Sequence, residues 1–106
     1  MANTMTGTIY GIFDGQGHCV YVGQTYTPLE RRLSRHVASA MQGRKNSFHA
    51  WLQERLVRFE KPEIRPLITG VPCDTRAGRQ ELDELEQFFI HRLLGQGQPL
   101  LNKEAA

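Results

Sequence analysis

Thr8–His36, TIYGIFDGQGHCVYVGQTYTPLERRLSRH, decides how the rest of the chain is read. Thr8–Phe13 and Cys19–Thr25 are β-branched and aromatic runs on either side of Asp14-Gly15-Gln16-Gly17, which reads as strand, turn, strand. A two-residue loop at Gly15-Gln16 places Tyr10 directly opposite Tyr21. Shifting that loop to Asp14-Gly15 or Gln16-Gly17 still leaves both tyrosines on one face, whereas an odd-length loop separates them. Two rings on a half-buried sheet face are ordinary packing as well as candidate chemistry, so the spacing alone decides nothing.

Beyond Gly23-Gln24-Thr25, Thr27 reads as a cap and Pro28 as the opening of a helix to about Met41, with Gly43 as its stop. Stepping about 100° per residue gathers Leu29, Leu33, Val37 and Ala40 into one stripe and sends Arg31 and Arg35 toward water. Arg32 and His36, one turn apart, flank the stripe at the boundary between core and solvent. Arg32 is therefore the better functional candidate of the two neighbouring arginines.

Ser47 reads as the cap of a second helix to about Phe59, with Phe48, Trp51, Leu52, Leu56 and Phe59 at helical spacing and directed inward. Phe48 and Trp51 could stack on bases, but core is the better reading, and His49 is expected at the surface. Glu63–Val71 reads as a third strand, which Pro66 confines to a sheet edge because proline has no N–H for a ladder. From Thr75 or Arg76 to Leu94 the pattern is helical, ending at Gly95. Leu82, Leu85, Phe89, Ile90 and Leu93 form its apolar face, and Glu86 falls inside that stripe within about 40° of Leu82. A carboxylate facing a core needs a cation, a metal or several donors. A salt bridge to an arginine of the first helix and a metal ligand are both open on this feature.

The 106 residues fit one domain, with a core over about 6–102 and an apolar content of 40%. A net charge of +2 and a pI near 8.7 permit nucleic acid without demanding it. The basic residues Arg31, Arg32, Arg35, His36, Arg44 and Lys45 lie close in sequence. Such a run neutralises phosphates, or is simply a solvated helix face. Cys19 and Cys73 lack the paired spacing of zinc sites and are expected to be reduced thiols. No signal peptide or membrane span is apparent, so the expected location is cytoplasmic, and Met1–Met5 and Lys103–Ala106 read as loose ends.

Ile9-Tyr10, the eleven-residue step to Tyr21-Val22-Gly23, and Arg32 and His36 on the next helix together resemble the GIY-YIG nuclease domain. Thr8 stands at the first Gly of the signature and Val22 at its Ile. One extra residue between Gly23 and the helix arginine keeps Arg31 in competition with Arg32. Glu86-Gln87-Phe88-Phe89-Ile90 sits where the family carries its sole protein carboxylate on a divalent metal. Pro99-Leu100-Leu101-Asn102 resembles the closing segment, whose asparagine lies near the site. The implied fold is α/β (α+β), with a three-stranded antiparallel sheet flanked by helices.

The resemblance implies a metal-dependent endonuclease that hydrolyses DNA phosphodiesters and leaves a 5′ phosphate and a 3′ hydroxyl. Such hydrolysis needs an activated water, positive charge on the phosphoryl oxygens, and help for the departing 3′ oxygen. Either tyrosine can supply the base; Tyr10 is taken as base and Tyr21 as its positioning partner. Arg32 would hold the phosphate, His36 relay a proton or bind the phosphate, and Glu86 carry Mg²⁺, with Mn²⁺ as a substitute. Asn102 completes the expected catalytic set. Gly23, Gln24, Thr25, Arg31, Arg35, Arg44 and Lys45 form the expected DNA-contacting set. With no zinc finger, helix-turn-helix or basic tail to read sequence, the expected activity is weakly specific nicking of one strand per encounter. A specificity-conferring partner protein or a homodimer would extend it. The alternative function is a nucleic-acid-binding module of the same fold without significant catalysis.

Overall fold

A computed structural model describes residues 5–43 and 46–102. Thr6–Phe13 forms β1, and its run TGTIYGIF is buried along most of its length because the strand is central and covered on both faces. Cys19–Thr25 is β2 and Glu63–Pro72 is β3. Both pair antiparallel with β1, giving the sheet order β2-β1-β3. Leu29–Met41 is α1, Ser47–Val57 is α2 and Arg76–Gly95 is α3. The expected three-stranded α+β architecture is present.

Alternation along β1 divides the core in two. Tyr10 and Ile12 face α1 and α2, packing with Leu33, Ala40, Phe48 and Leu52. Ile9 faces the other way and joins Val22, Val71, Cys73 and Leu82 beneath α3. Leu52 and Leu82 are fully buried, one in each layer; each contributes about 1.5–3 kcal/mol relative to exposure. Cys19 and Cys73 are buried free thiols.

The hairpin differs from its simplest register. Ile12 pairs with Tyr21 but Phe13 pairs with Cys19, so Val20 is an extra residue and the ladder shifts there. The loop is held by Asp14, whose carboxylate accepts the backbone N–H groups of Gln16 and His18 at 2.9 Å each. Tyr10 therefore sits opposite Gly23, two residues along β2 from Tyr21, and the two tyrosines share a face diagonally.

Pro66 lies on β3, an edge strand, as a residue without an N–H requires. The opposite edge, on β2, is covered by the chain after α3. Cys19 N–H donates to Gln98 Oε1 at 2.7 Å, Leu101 N–H to the Val20 carbonyl at 2.6 Å, and Val22 N–H to Asn102 Oδ1 at 2.8 Å. This segment supplies the partners that a fourth strand would.

Three expectations about the helices need correction. The α1 N-cap is Pro28, with no side-chain cap; Thr27 instead places its hydroxyl 2.8 Å from that of Thr25. The α2 cap is Asn46 and not Ser47, because Asn46 accepts the His49 N–H at 2.8 Å. Phe59 does not pack inward: it is 97% exposed and has left-handed backbone, φ 61°. The helix stops at Val57 because Phe59 N–H turns back to the Leu56 carbonyl and Glu60 N–H to the Arg55 carbonyl. That is a Schellman closure with phenylalanine where glycine is usual. Phe59→Gly is therefore expected to stabilise the chain by about 1 kcal/mol, the cost of left-handed backbone at a non-glycine residue. Urea unfolding checks it, and equal or lower stability would contradict the strain.

α3 begins as expected, with Thr75 accepting Gly78 N–H at 3.0 Å. Among the described residues no helix is long and apolar enough to cross a membrane. Arg44 and Lys45, together with residues 1–4 and 103–106, lie outside the described residues.

Candidate active site

Gly23 makes the site possible. A Cβ there would lie 2.5 Å from Tyr10 Oη, 2.7 Å from Tyr10 Cζ and 3.0 Å from Tyr21 Cε2. Only a residue without a side chain leaves room for the Tyr10 hydroxyl at that point of the neighbouring strand. The two phenol rings stand with centroids 6.3 Å apart.

α1 reaches this face with two side chains, one turn apart. Arg32 Nε–H donates to Tyr10 Oη at 3.1 Å, and His36 Nε2 lies 2.7 Å from the same oxygen. Arg31 and Arg35 are exposed on the outer side of the helix. The geometry thus separates Arg32 from its competitor Arg31. His36 is buried, with its ring edge-on to Phe48 and Tyr21. Tyr21 stacks on Phe48, centroids 4.3 Å apart, so Phe48 holds the site from behind as a core residue.

His49, expected at the surface, is half-buried, and its Nε2 lies 3.2 Å from His36 Nδ1. Its other ring nitrogen, Nδ1, is 2.7 Å from the Asn46 amide nitrogen. The signal that finds this residue is the spacing Asn46-x-x-His49. It puts histidine at the third helical position, where a capping-box partner turns back toward the cap.

Glu86 approaches from the α3 side of the sheet. Tyr21, Asn46, Phe48, His49, Glu86, Leu101 and Asn102 line one cavity of about 290 Å³, so groups from both helical layers meet at the β2 edge. Glu86 Oε1 accepts Gln24 Nε2–H at 3.1 Å, and the same amide donates to Asp83 Oδ1 at 2.7 Å. Among the described residues Glu86 forms no ion pair, which removes the salt bridge to an α1 arginine as its explanation. Burial raises its pKa, Asp83 adds to the rise, and the Gln24 hydrogen bond and Arg32 oppose it.

Of the expected DNA-contacting residues, Gln24 is committed to Glu86 and Asp83, and Thr25 is buried with its hydroxyl on Thr27. Arg31 and Arg35 are free to meet solvent. Asn102 clamps the backbone of Val22 from both sides, accepting its N–H at 2.8 Å and donating Nδ2–H to its carbonyl at 2.7 Å. It holds the strand between Tyr21 and Gly23 in place.

Burial pushes the Tyr10 phenol far above an ordinary tyrosine, with the Arg32 hydrogen bond opposing. Burial also raises Tyr21, with Glu86 adding to the rise. Burial, then Arg32 and His49, push His36 down to about 3. His36 is therefore neutral and acts through its hydrogen bonds. In the unfolded chain it titrates near 6.5. Stability that depends on neutral His36 is fully present above about pH 6.5 and is lost as the pH falls toward 3, by up to about 1.4 kcal/mol per unit. Glu86, whose pKa is raised, contributes with the opposite sign, so the test is a comparison. Denaturation at successive pH values is expected to show a shallower acid loss for His36→Gln than for the parent, and equal slopes would contradict a buried neutral imidazole.

Among the described residues no group of three or more His, Cys, Asp or Glu side chains forms a ready-made cation cage. The donor set fits a divalent cation held by one protein carboxylate: Glu86 lacks a cation partner, Gln24 fixes its Oε1, and its Oε2 meets no donor among the described residues.

No curated protein and no solved structure gives a significant match to this chain. The family model of the GIY-YIG catalytic domain matches residues 6–96, a span that holds Tyr10, Tyr21, Arg32, His36 and Glu86. The chain belongs to the GIY-YIG family, a family of nucleases.

Proposed function

We propose that the protein is a metal-dependent DNA endonuclease that nicks one strand per encounter and leaves a 5′ phosphate and a 3′ hydroxyl. The observation that carries this reading is the convergence of Arg32 and His36 on the Tyr10 oxygen beside a Glu86 that has no cation partner among the described residues. A pure binding module has no physical need for a carboxylate beside a phosphate site, where it repels the ligand. GIY-YIG nucleases typically depend on a divalent metal, and Mg²⁺ is the ion proposed here.

Tyr10 is the proposed base, taking a proton from the attacking water. Its phenol needs stabilisation as an anion, which the Arg32 N–H on its oxygen supplies. Arg32 also directs positive charge toward the scissile phosphate, whose non-bridging oxygens gain charge in the transition state. Tyr21 packs between Phe48 and His36 and keeps the Tyr10 face in register. Glu86 would hold the divalent cation, which would supply Lewis-acid charge for the scissile phosphate and its departing 3′ oxygen. Gln24 and Asn102 are positioning residues, one for Glu86 and one for the Tyr21–Gly23 backbone.

Arg31 and Arg35, exposed on α1, add sequence-independent phosphate attraction. Specificity is weak, and double-strand cleavage takes a second visit, a homodimer or a partner protein. End-labelled duplex DNA incubated with the chain and Mg²⁺ tests the chemistry. Fragments with 5′ phosphate and 3′ hydroxyl ends, lost on chelation, are expected; 3′ phosphate ends or chelator-resistant cleavage would contradict it.

A further inference from the structure

Hydrogen-bond chemistry at the start of α2 fixes where the protons lie on the two imidazoles, His49 and His36. The His49 backbone N–H lies 2.8 Å from one terminal atom of the Asn46 side chain, and only a carbonyl oxygen accepts there. The other terminal atom is therefore the amide nitrogen, 2.7 Å from His49 Nδ1. An amide NH₂ donates and does not accept, so His49 Nδ1 carries no proton and Nε2 carries one. His49 Nε2–H faces His36 Nδ1 at 3.2 Å, which leaves that nitrogen as an acceptor. Neutral His36 then holds its proton on Nε2, 2.7 Å from Tyr10 Oη.

All the donors run in one direction, from the α2 cap to the phenol oxygen. Arg32 Nε–H reaches the same oxygen at 3.1 Å, so Tyr10 Oη accepts two N–H groups and its own proton is turned away from both. With the opposite tautomers, Tyr10 would donate to His36 Nε2, and its oxygen would accept only the Arg32 N–H. Two N–H donors on one phenol oxygen favour the phenolate over the phenol. Burial of the ring works against it, so the donors are what make a base available at all.

We infer that Asn46 and His49 are positioning residues for the Tyr10 base: the Asn46 amide sets the tautomer of His49, which sets that of His36, so that an N–H is held on the Tyr10 oxygen. This rests on the reading of Tyr10 as the base. It assigns the α2 cap two roles, starting the helix and orienting a hydrogen-bond chain that ends in the active site.

The test is long-range ¹H–¹⁵N NMR of histidine-labelled protein at pH 8, read beside steady-state nicking kinetics. Both His36 and His49 are expected as the Nε2–H tautomer. Asn46→Ser keeps an acceptor at the cap but removes the amide donor. It is expected to populate both tautomers of His49 and His36 and to lower kcat about tenfold, the effect of one pKa unit on the base. KM and Tm should stay near those of the parent, since serine preserves the cap, and a merely structural cap would leave kcat and the tautomers unchanged as well. An Nδ1–H tautomer on either ring of the parent overturns the inference, whether or not the variant folds. So does an Asn46→Ser chain with unchanged tautomers and kcat. A parent that shows Nε2–H on both rings yet cleaves nothing refutes the nuclease reading, and the positioning role with it, while the hydrogen-bond chain itself stands.

Discussion

Glu86→Gln is expected to lower Mg²⁺-dependent cleavage by at least about a thousandfold. Losing the charge that a cation brings to the phosphoryl and leaving oxygens costs about 4 kcal/mol of transition-state stabilisation. The substitution is nearly isosteric, and it keeps an oxygen that can accept the Gln24 amide hydrogen bond seen at 3.1 Å. Fold and DNA binding should therefore persist. Stability without metal should shift in the other direction. Burial and Asp83 already disfavour the ionised carboxylate, so removing its charge is expected to make the metal-free chain more stable at neutral pH. Mg²⁺ or Mn²⁺ should raise Tm for the parent and not for Glu86→Gln. A variant that retains the parent's cleavage rate, or the parent's metal-induced rise in Tm, would show that the cation is held elsewhere.

Arg32→Lys is the second large effect, with an expected loss of about 10²–10³-fold in kcat. Lysine keeps the positive charge, so long-range attraction of DNA and KM should change little. What it lacks is the planar guanidinium whose Nε–H meets Tyr10 at 3.1 Å while the terminal nitrogens remain for phosphate. The same change at Arg31, exposed on the other side of α1, is expected to leave kcat within about twofold, the scale of a surface substitution of about 0.5 kcal/mol or less. Equal losses at the two positions would mean that the arginines act only through their charge.

Much of this arrangement was legible in the sequence because helical and strand periodicities report which face a residue occupies. Arg32 and His36 at the edge of the α1 stripe, and Glu86 within that of α3, follow from stepping along each helix. Both tyrosines on one sheet face follow from strand alternation, which tolerated the two-residue error in register. The Val20 bulge was not legible, because it depends on how Asp14 and the C-terminal segment hold the two ends of the hairpin.

Partners far apart in sequence were equally hidden. Nothing local in Asn102 says that it clamps Val22, 80 positions away, and nothing in Gln24 says that it braces Glu86. Phe59 failed for the opposite reason. Its spacing fits the apolar face of α2, but the helix had already closed, and periodicity says nothing about where a helix stops. The place of His49 on α2 alone points to the surface, and its partial burial comes from α1 packing against it. Local preference does not single out Asn46 as the cap, because the adjacent Ser47 is an equally good capping residue.

The most direct measurement is conversion of supercoiled plasmid to nicked circles by the parent, Glu86→Gln and Arg32→Lys, made identically, with Mg²⁺ and with chelator, alongside DNA binding by each. Metal-dependent nicking by the parent, lost in both variants while binding is retained, is the predicted result. A parent that binds plasmid but never nicks it at any Mg²⁺ or Mn²⁺ concentration, or variants that nick as fast as the parent, would contradict the assignment of hydrolysis to these residues.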